Sequence, residues 1–231
     1  MSGVPPAAVV TDIEGTTTRI SFVHDVLFPY ARDRMAAFLA ARAEDPAVRA
    51  ALAEVAAMAP ETAPLDALLG WMDRDAKVTP LKTLQGMIWD QGYAEGVLRG
   101  ELYPDVAPAL RRWRAGGVRL YVYSSGSEAA QKLLFRHSVD GDLTGLFSGF
   151  FDTRIGGKRE GASYRGVATA IGVPAGEILF LSDIGAELDA ALGAGILACQ
   201  LVRPADGTVA SAGHARAGDF GEVGRRFGLP G

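Results

Sequence analysis

The chain has 231 residues, of which 48% are hydrophobic, enough for a sizeable core in one domain with an insertion or in two small domains. The net charge of −4 and the lack of a Lys/Arg block argue against nucleic-acid or membrane-surface partners. Cys199 is the only cysteine, so no intrachain disulfide can form. With no apolar window of leader or membrane-span length, we expect a cytoplasmic protein that acts on a small polar molecule.

The first predicted element is a buried strand at residues 7–11, an apolar run that ends in β-branched residues. Residues 23–104 follow with helical or loop patterns alone, at about 26–39, 48–58 and 81–88, which is far longer than a normal crossover. We therefore predict an inserted helical cap at 23–104, with the core formed by residues 1–22 and 105–231.

Helices and strands alternate from residue 105 onward. Helical patterns are predicted at 105–115, 127–136, 164–171 and 186–192, and apolar strand patterns at 118–123, 178–181 and 196–202. Such alternation predicts an α/β fold with a doubly wound, Rossmann-like parallel sheet. The tail from Asp206 carries no chemistry that its pattern identifies.

Polar residues follow three predicted strands at the point where each strand ends. Asp12 and Glu14 follow the first strand, Ser124 and Ser125 the second, and Asp183 the third. Each set alone is compatible with a turn or a helix cap. Ligands collect at the carboxyl edge of open α/β sheets, so three sets at that edge favour one functional site.

The first carboxylates and a later lysine suggest the chemistry of that site. Asp12 and Glu14 are two residues apart and can face one site, where their repulsion calls for a metal ion, a shared proton or a phosphate-binding purpose. Lys158 follows two glycines in a predicted loop and would suit a phosphate if that loop returns to the strand ends. A loop lysine is otherwise ordinary solvated surface.

Asp12, Ser124, Lys158 and Asp183 occur in the order typical of the haloacid dehalogenase superfamily, which the chain resembles. More narrowly, it resembles the enolase-phosphatases (acireductone synthases) of methionine salvage. The segments that carry this resemblance are residues 12–18 (DIEGTTT), 28–30 (FPY), 81–86 (LKTLQG), 123–127 (YSSGS) and 131–135 (QKLLF). Glu14 makes the resemblance specific to the enolase-phosphatases, because most members of the superfamily have Asp at that position.

The resemblance implies a role for each matching residue. Asp12 would form an aspartyl-phosphate, and Glu14 would be the acid/base. One Mg²⁺ per subunit would be held by Asp12, Asp183 and the main-chain carbonyl of Glu14. Ser124, Ser125 and the catalytic Lys158 would bind the phosphate. Glu187 would lie beside the metal ligands, and Lys82 and Gln85 would bind the substrate from the cap.

The implied reaction enolises 2,3-diketo-5-methylthiopentyl-1-phosphate and then dephosphorylates it to 1,2-dihydroxy-3-keto-5-methylthiopentene, in a monomeric enzyme. No residue is singled out for the enolisation proton, although Glu14 is the first candidate. The alternatives are a phosphatase of another small ester and a silent phosphate-binding module. A dehalogenase is disfavoured because Glu14 and Asp183 indicate metal-assisted phosphoryl transfer. Arg19, Gly185 and Ala186 lie where the family pattern varies.

Overall fold

The computed structural model describes residues 4–231, which contain one six-stranded sheet. All strand pairs are parallel, and the spatial order is β3-β2-β1-β4-β5-β6. The strands are β1 (Ala8–Thr11), β2 (Arg119–Tyr123), β3 (Phe147–Phe151), β4 (Ile178–Ser182), β5 (Leu197–Leu201) and β6 (Ala215–Ala217). The chain builds outward from β1 on one side and then on the other, which confirms the predicted doubly wound α/β fold.

The helices of residues 4–231 include a group before β2 and a group that alternates with the later strands. They are α1 (Phe28–Ala41), α2 (Pro46–Met58), α3 (Pro64–Asp73), α4 (Thr79–Ala94), α5 (Val106–Ala115), α6 (Glu128–Arg136), α7 (Gly161–Ile171), α8 (Gly185–Gly193) and α9 (Phe220–Phe227). Across these described residues, no helix combines the length and the apolar character needed to cross a bilayer.

Both faces of the central strands are buried. Val10 and Phe180 lie on one face and pack in a single cluster with Tyr164 of α7. Val9 and Leu179, which have the opposite parity and therefore point to the other face, are equally inaccessible. This two-sided burial explains why the central strands are continuous apolar runs without polar alternation.

The four predicted strands are confirmed, but β3 and β6 were not predicted. The strand β3 has the sequence FSGFF, in which Ser148 and Gly149 interrupt the apolar run, and β6 is only three residues long. Both lie at sheet edges, where one side of the strand needs no partner and the hydrophobic signal is weaker. The helix α9 was also missed, although the Asp219 side chain caps it by accepting from the Glu222 N–H.

The chain divides into two compact units. One unit contains the residues up to Ile20 and Gly100–Gly231, and the other is Ser21–Arg99. These transitions lie a few residues before the predicted cap bounds of 23 and 104. Tyr103, for example, belongs to the first unit and donates its N–H to the Thr17 carbonyl.

The unit Ser21–Arg99 is helical. A π-helix at Phe22–Leu27 leads directly into α1, and the Trp89 indole of α4 donates to the Leu27 carbonyl at 2.8 Å. Met35 of α1 and Leu84 of α4 are fully buried in the core of this unit. All four of its α-helices have proline in the first turn, and at the free starts of α2, α3 and α4 the missing N–H costs no intrahelical bond.

Candidate active site

Three of the predicted site residues follow neighbouring strands of the sheet. Asp12 follows β1, Ser124 follows β2 and Asp183 follows β4, and β1 lies between β2 and β4. Thr11, the last residue of β1, pairs with Val122 on one side and with Leu181 on the other. The three residues therefore share one sheet edge, at the point where the strand order reverses, which is where α/β proteins bind ligands.

Lys158 reaches this edge from a loop. Its Nζ lies 2.6 Å from Asp12 Oδ1 and 2.7 Å from Glu187 Oε2, and only 9% of its side chain is exposed. The loop that follows β3 thus returns to the strand ends, the condition on which a phosphate role for Lys158 depended. A buried ammonium between two carboxylates is a different environment from that of a solvated surface lysine.

Two tyrosines hold the loop that carries Lys158. The Tyr123 hydroxyl donates to the Gly156 carbonyl at 2.9 Å, and the Tyr164 hydroxyl donates to the Lys158 carbonyl at 2.8 Å. At Gly156 the backbone φ is +128°, and a Cβ would overlap Ser163. Because both tyrosines are anchored in the core beneath the sheet edge, the position of Lys158 is set by the fold.

The charges of the site do not balance. Burial and the neighbouring Asp12 raise the pKa of Asp183 to about 7, and the same causes raise the pKa of Glu187. Burial opposes the charged form of Lys158, but Asp12 and Glu187 outweigh it and raise the pKa of that ammonium. One buried cation therefore faces three carboxylates, and the site has an excess of negative charge.

That excess charge and the donor atoms fit a divalent cation. Carboxylate and carbonyl oxygens are the ligands Mg²⁺ prefers. In residues 4–231 no three His, Cys, Asp or Glu side chains are grouped as a metal site. The set implied by the family resemblance instead uses two carboxylates, from Asp12 and Asp183, and the main-chain carbonyl of Glu14.

The turn after Asp12 packs against Asp183. Gly15 has a φ of +66°, and a Cβ there would lie 2.5 Å from Asp183 Oδ2. The turn is closed by the Gly15 N–H, which donates to the Thr18 carbonyl at 2.8 Å, and by an isolated bridge between Glu14 and Thr18. Only glycine leaves space here for the Asp183 carboxylate, and Glu14 is half-buried in the same turn.

The serine turn after β2 is held by a buried glutamine, which the sequence analysis included in the segment 131–135 without giving it a role. Gln131 Nε2 donates to the carbonyls of Gly126 and Phe151, at 2.8 and 2.9 Å. Ser124 is buried, and its Oγ accepts from the Gly126 N–H at 3.3 Å, whereas Ser125 is half-exposed. The available sequence signal was a glutamine on the apolar face of α6. Buried amides are hydrogen-bonded, so a glutamine there indicates a structural role.

Lys82 and Gln85 lie on α4, in the unit Ser21–Arg99. Gln85 is buried and Lys82 is half-buried. Their assignment to the substrate site stays a prediction. The geometry described above involves only the unit that contains the sheet.

Comparison with known proteins decides the family. The profile of the haloacid dehalogenase-like hydrolases matches residues 6–195. Enolase-phosphatase E1 of Gluconacetobacter diazotrophicus is 62% identical over 96% of this chain and 95% of its own length. Enolase-phosphatase E1 of Acidiphilium cryptum is 57% identical over 97% of both chains. The chain belongs to the enolase-phosphatase family of haloacid dehalogenase-like hydrolases.

A solved structure has a similar fold over nearly the whole chain. The UTR4 protein from Saccharomyces cerevisiae superposes with a TM-score of 0.80 at 32% sequence identity, covering 93% of this chain and 98% of that one. In the present chain, the residues that occur in the order typical of the superfamily lie at one sheet edge: Asp12, Ser124, Lys158 and Asp183. The family resemblance drawn from the motifs is thereby confirmed.

Proposed function

We propose that this protein is a magnesium-dependent enolase-phosphatase of methionine salvage. It enolises 2,3-diketo-5-methylthiopentyl-1-phosphate and then releases phosphate to yield 1,2-dihydroxy-3-keto-5-methylthiopentene. The observation that carries the proposal is the meeting of Asp12, Lys158 and Glu187 beside Asp183 at the switch point of the sheet. The high identity to relatives named enolase-phosphatase narrows the substrate.

Asp12 is the proposed nucleophile. Its carboxylate attacks the phosphorus, the bond from phosphorus to the substrate oxygen breaks, and water then hydrolyses the resulting aspartyl-phosphate, an acyl phosphate. The Lys158 ammonium, 2.6 Å from Asp12 Oδ1, is in place to balance charge on the transferring group. Ser124 and Ser125 supply hydroxyl and backbone donors to the phosphate oxygens.

Glu14 is the proposed acid/base. It protonates the leaving oxygen and then activates the water that attacks the phosphorylated Asp12. It is also our first candidate for the enolisation proton, with Lys82 and Gln85 binding the diketone end. Their α4 helix supplies a buried amide and a long cationic side chain, both suited to a carbonyl.

Asp12, Asp183 and the Glu14 main-chain carbonyl are the proposed Mg²⁺ ligands, and Glu187 holds Lys158 beside them. When bound, the cation neutralises phosphate oxygens and stabilises an enolate as a Lewis acid. The pKa of Asp183 is raised mainly by burial and further by the neighbouring Asp12 carboxylate, whose negative charge a bound cation would offset. We further propose one ion per subunit in a monomeric, cytoplasmic enzyme.

The diketo phosphate itself tests the function. Purified protein with Mg²⁺ should produce the absorbance of the enediol and then one phosphate per substrate. Excess EDTA should stop both signals, and added Mg²⁺ should restore them. Phosphate release from simple esters without enediol formation would show a phosphatase of another ester, whereas neither signal would indicate a silent binding module.

Gly15→Ala should impair the reaction through Asp183. The added Cβ would lie 2.5 Å from Asp183 Oδ2, so that carboxylate must move, and we expect kcat/KM to fall about 100-fold. Gly172→Ala is the matched control: its φ of +72° imposes the same backbone strain, about 1–2 kcal/mol, but no atom lies within 4 Å of its Cβ. Equal activity losses in the two variants would contradict a specific role for Gly15.

A further inference from the structure

A second buried glutamine lies next to the proposed metal ligand Asp183. Gln200 is on β5, an otherwise apolar strand (LACQL), and its exposed fraction is 0%. In the β4–β5 register it pairs with Ser182, the residue immediately before Asp183. A carboxamide in such a position costs stability unless its hydrogen bonds are satisfied, so its partners indicate why it is there.

Those partners connect two loops at the carboxyl edge. Gln200 Nε2 lies 2.8 Å from the Asp183 carbonyl, 3.0 Å from the Val209 carbonyl and 3.2 Å from Ser211 Oγ. Its Oε1 accepts from the Ser211 N–H at 2.8 Å. One side chain thus links the peptide group that follows Asp183 to the segment 209–211.

The same segment also packs against the turn that follows Asp183. A Cβ at Gly185 would overlap the Ser211 side chain, so that side chain lies directly against the Gly185 backbone. On the near side of the turn, Ser182 Oγ accepts from the Ile184 N–H at 3.1 Å. Residues 183–185 are therefore held from both sides, by Ser182 and by the pair Gln200 and Ser211.

We infer that Gln200 is a positioning residue for the metal site. Its hydrogen bond to the main-chain carbonyl of Asp183 fixes the backbone there and so orients the Asp183 side-chain carboxylate for Mg²⁺. The inference rests on the proposed function, because it takes Asp183 to be a metal ligand. Outer partners of metal ligands act in this way, and their loss typically weakens metal binding 10–100-fold. The hydrogen-bond partners of the Gln200 side chain are protein groups, so it would act on the ion through Asp183.

Gln200→Met tests this inference, because Met has nearly the same shape but cannot hydrogen-bond. Its Mg²⁺ dissociation constant, measured by calorimetry on the substrate-free protein, should rise about 10–100-fold. At saturating Mg²⁺ most of the turnover should return, with KM for the diketo phosphate unchanged. Gln131→Met is the matched control, since it also removes a buried amide bound to two carbonyls, but next to the serine turn.

Failure of the inference can be distinguished from failure of the proposed metal site. The inference would be overturned if the Mg²⁺ dissociation constant rose equally in both variants, or did not rise in Gln200→Met. Neither result would contradict the proposed metal site. No Mg²⁺ binding by the wild-type protein would overturn the metal site and the inference together. If Gln200→Met does not fold, Ser211→Ala replaces it: loss of one amide partner should raise the constant at least about threefold, and an unchanged constant would refute the inference.

Discussion

Asp12→Asn is expected to lower phosphate release by at least about 10⁴-fold, because an amide cannot form the aspartyl-phosphate that we propose for Asp12. Folding should survive this change. The substitution removes one of three carboxylates that face Lys158, and Glu187 remains 2.7 Å from its Nζ. It also removes the Asp12 charge, which together with burial raises the pKa of Asp183, so we expect the free energy of unfolding to change by less than about 1 kcal/mol.

Steady-state phosphate release and urea unfolding measure the two halves of this prediction. Asp140→Asn is the control, because Asp140 is exposed in the sheet-containing unit and its side chain is outside the proposed site. Acid-quenched wild-type enzyme should carry a phosphoryl group on the peptide that contains Asp12, and the variant should carry none. Substantial turnover by Asp12→Asn would refute the nucleophile assignment.

Lys158→Met should damage both stability and catalysis. Removal of the ammonium leaves Asp12 and Glu187 buried without the cation that lies 2.6 and 2.7 Å from them. Loss of one partner from a buried pair typically costs about 3–5 kcal/mol, so we expect a drop of about 3 kcal/mol in the free energy of unfolding at pH 7 in EDTA. Turnover should fall about 10³-fold, because the transferring group loses a fixed positive charge.

The double variant Lys158→Met/Glu187→Gln separates these effects. Conversion of Glu187 to an amide removes one of the unpaired buried charges, so the double variant should be more stable than Lys158→Met by about 1–2 kcal/mol. Its turnover should stay as low, because the cation is still missing. If the second substitution adds no stability, charge repulsion is not the cause of the loss.

Lys132→Met is the matched surface control. Lys132 Nζ lies 2.6 Å from Glu128 Oε1, the same separation as in the Lys158–Asp12 pair, but 44% of its side chain is exposed. Solvent screens such a pair, so its loss should cost less than about 1 kcal/mol. A similar cost for both lysines would contradict the burial argument.

Much of the fold could be predicted from the pattern of apolar and polar residues in short segments. The continuous apolar runs of β1, β2, β4 and β5 are a direct consequence of burial on both faces of the sheet, and those strands were all predicted. Asp12, Ser124 and Asp183 could be assigned to one edge, because parallel strands place their carboxyl ends together. The motif DIEGTTT, together with four further segments, indicated the family.

Other features were invisible in the sequence, because they depend on residues that are distant along the chain. The edge strands β3 and β6 have weak patterns, and they form because neighbouring elements bury them. The helix α9, by contrast, begins at a capping Asp219 that the sequence analysis overlooked. Glu187 was predicted beside the metal ligands, yet its contact with Lys158 depends on the return of a loop held by Tyr123 and Tyr164.

The sequence by itself therefore determined the fold class, the family and the order of the reactive groups, because hydrophobic periodicity and motif spacing are properties of short segments. Only the tertiary structure decided which charged groups contact one another and which residues hold them in position. Lys158 lies between Asp12 and Glu187, Gly15 makes room for Asp183, and Gln200 bonds to the Asp183 carbonyl. Each of these contacts joins segments that meet only when the sheet assembles, and the energy of a buried charge or amide depends on exactly which groups surround it.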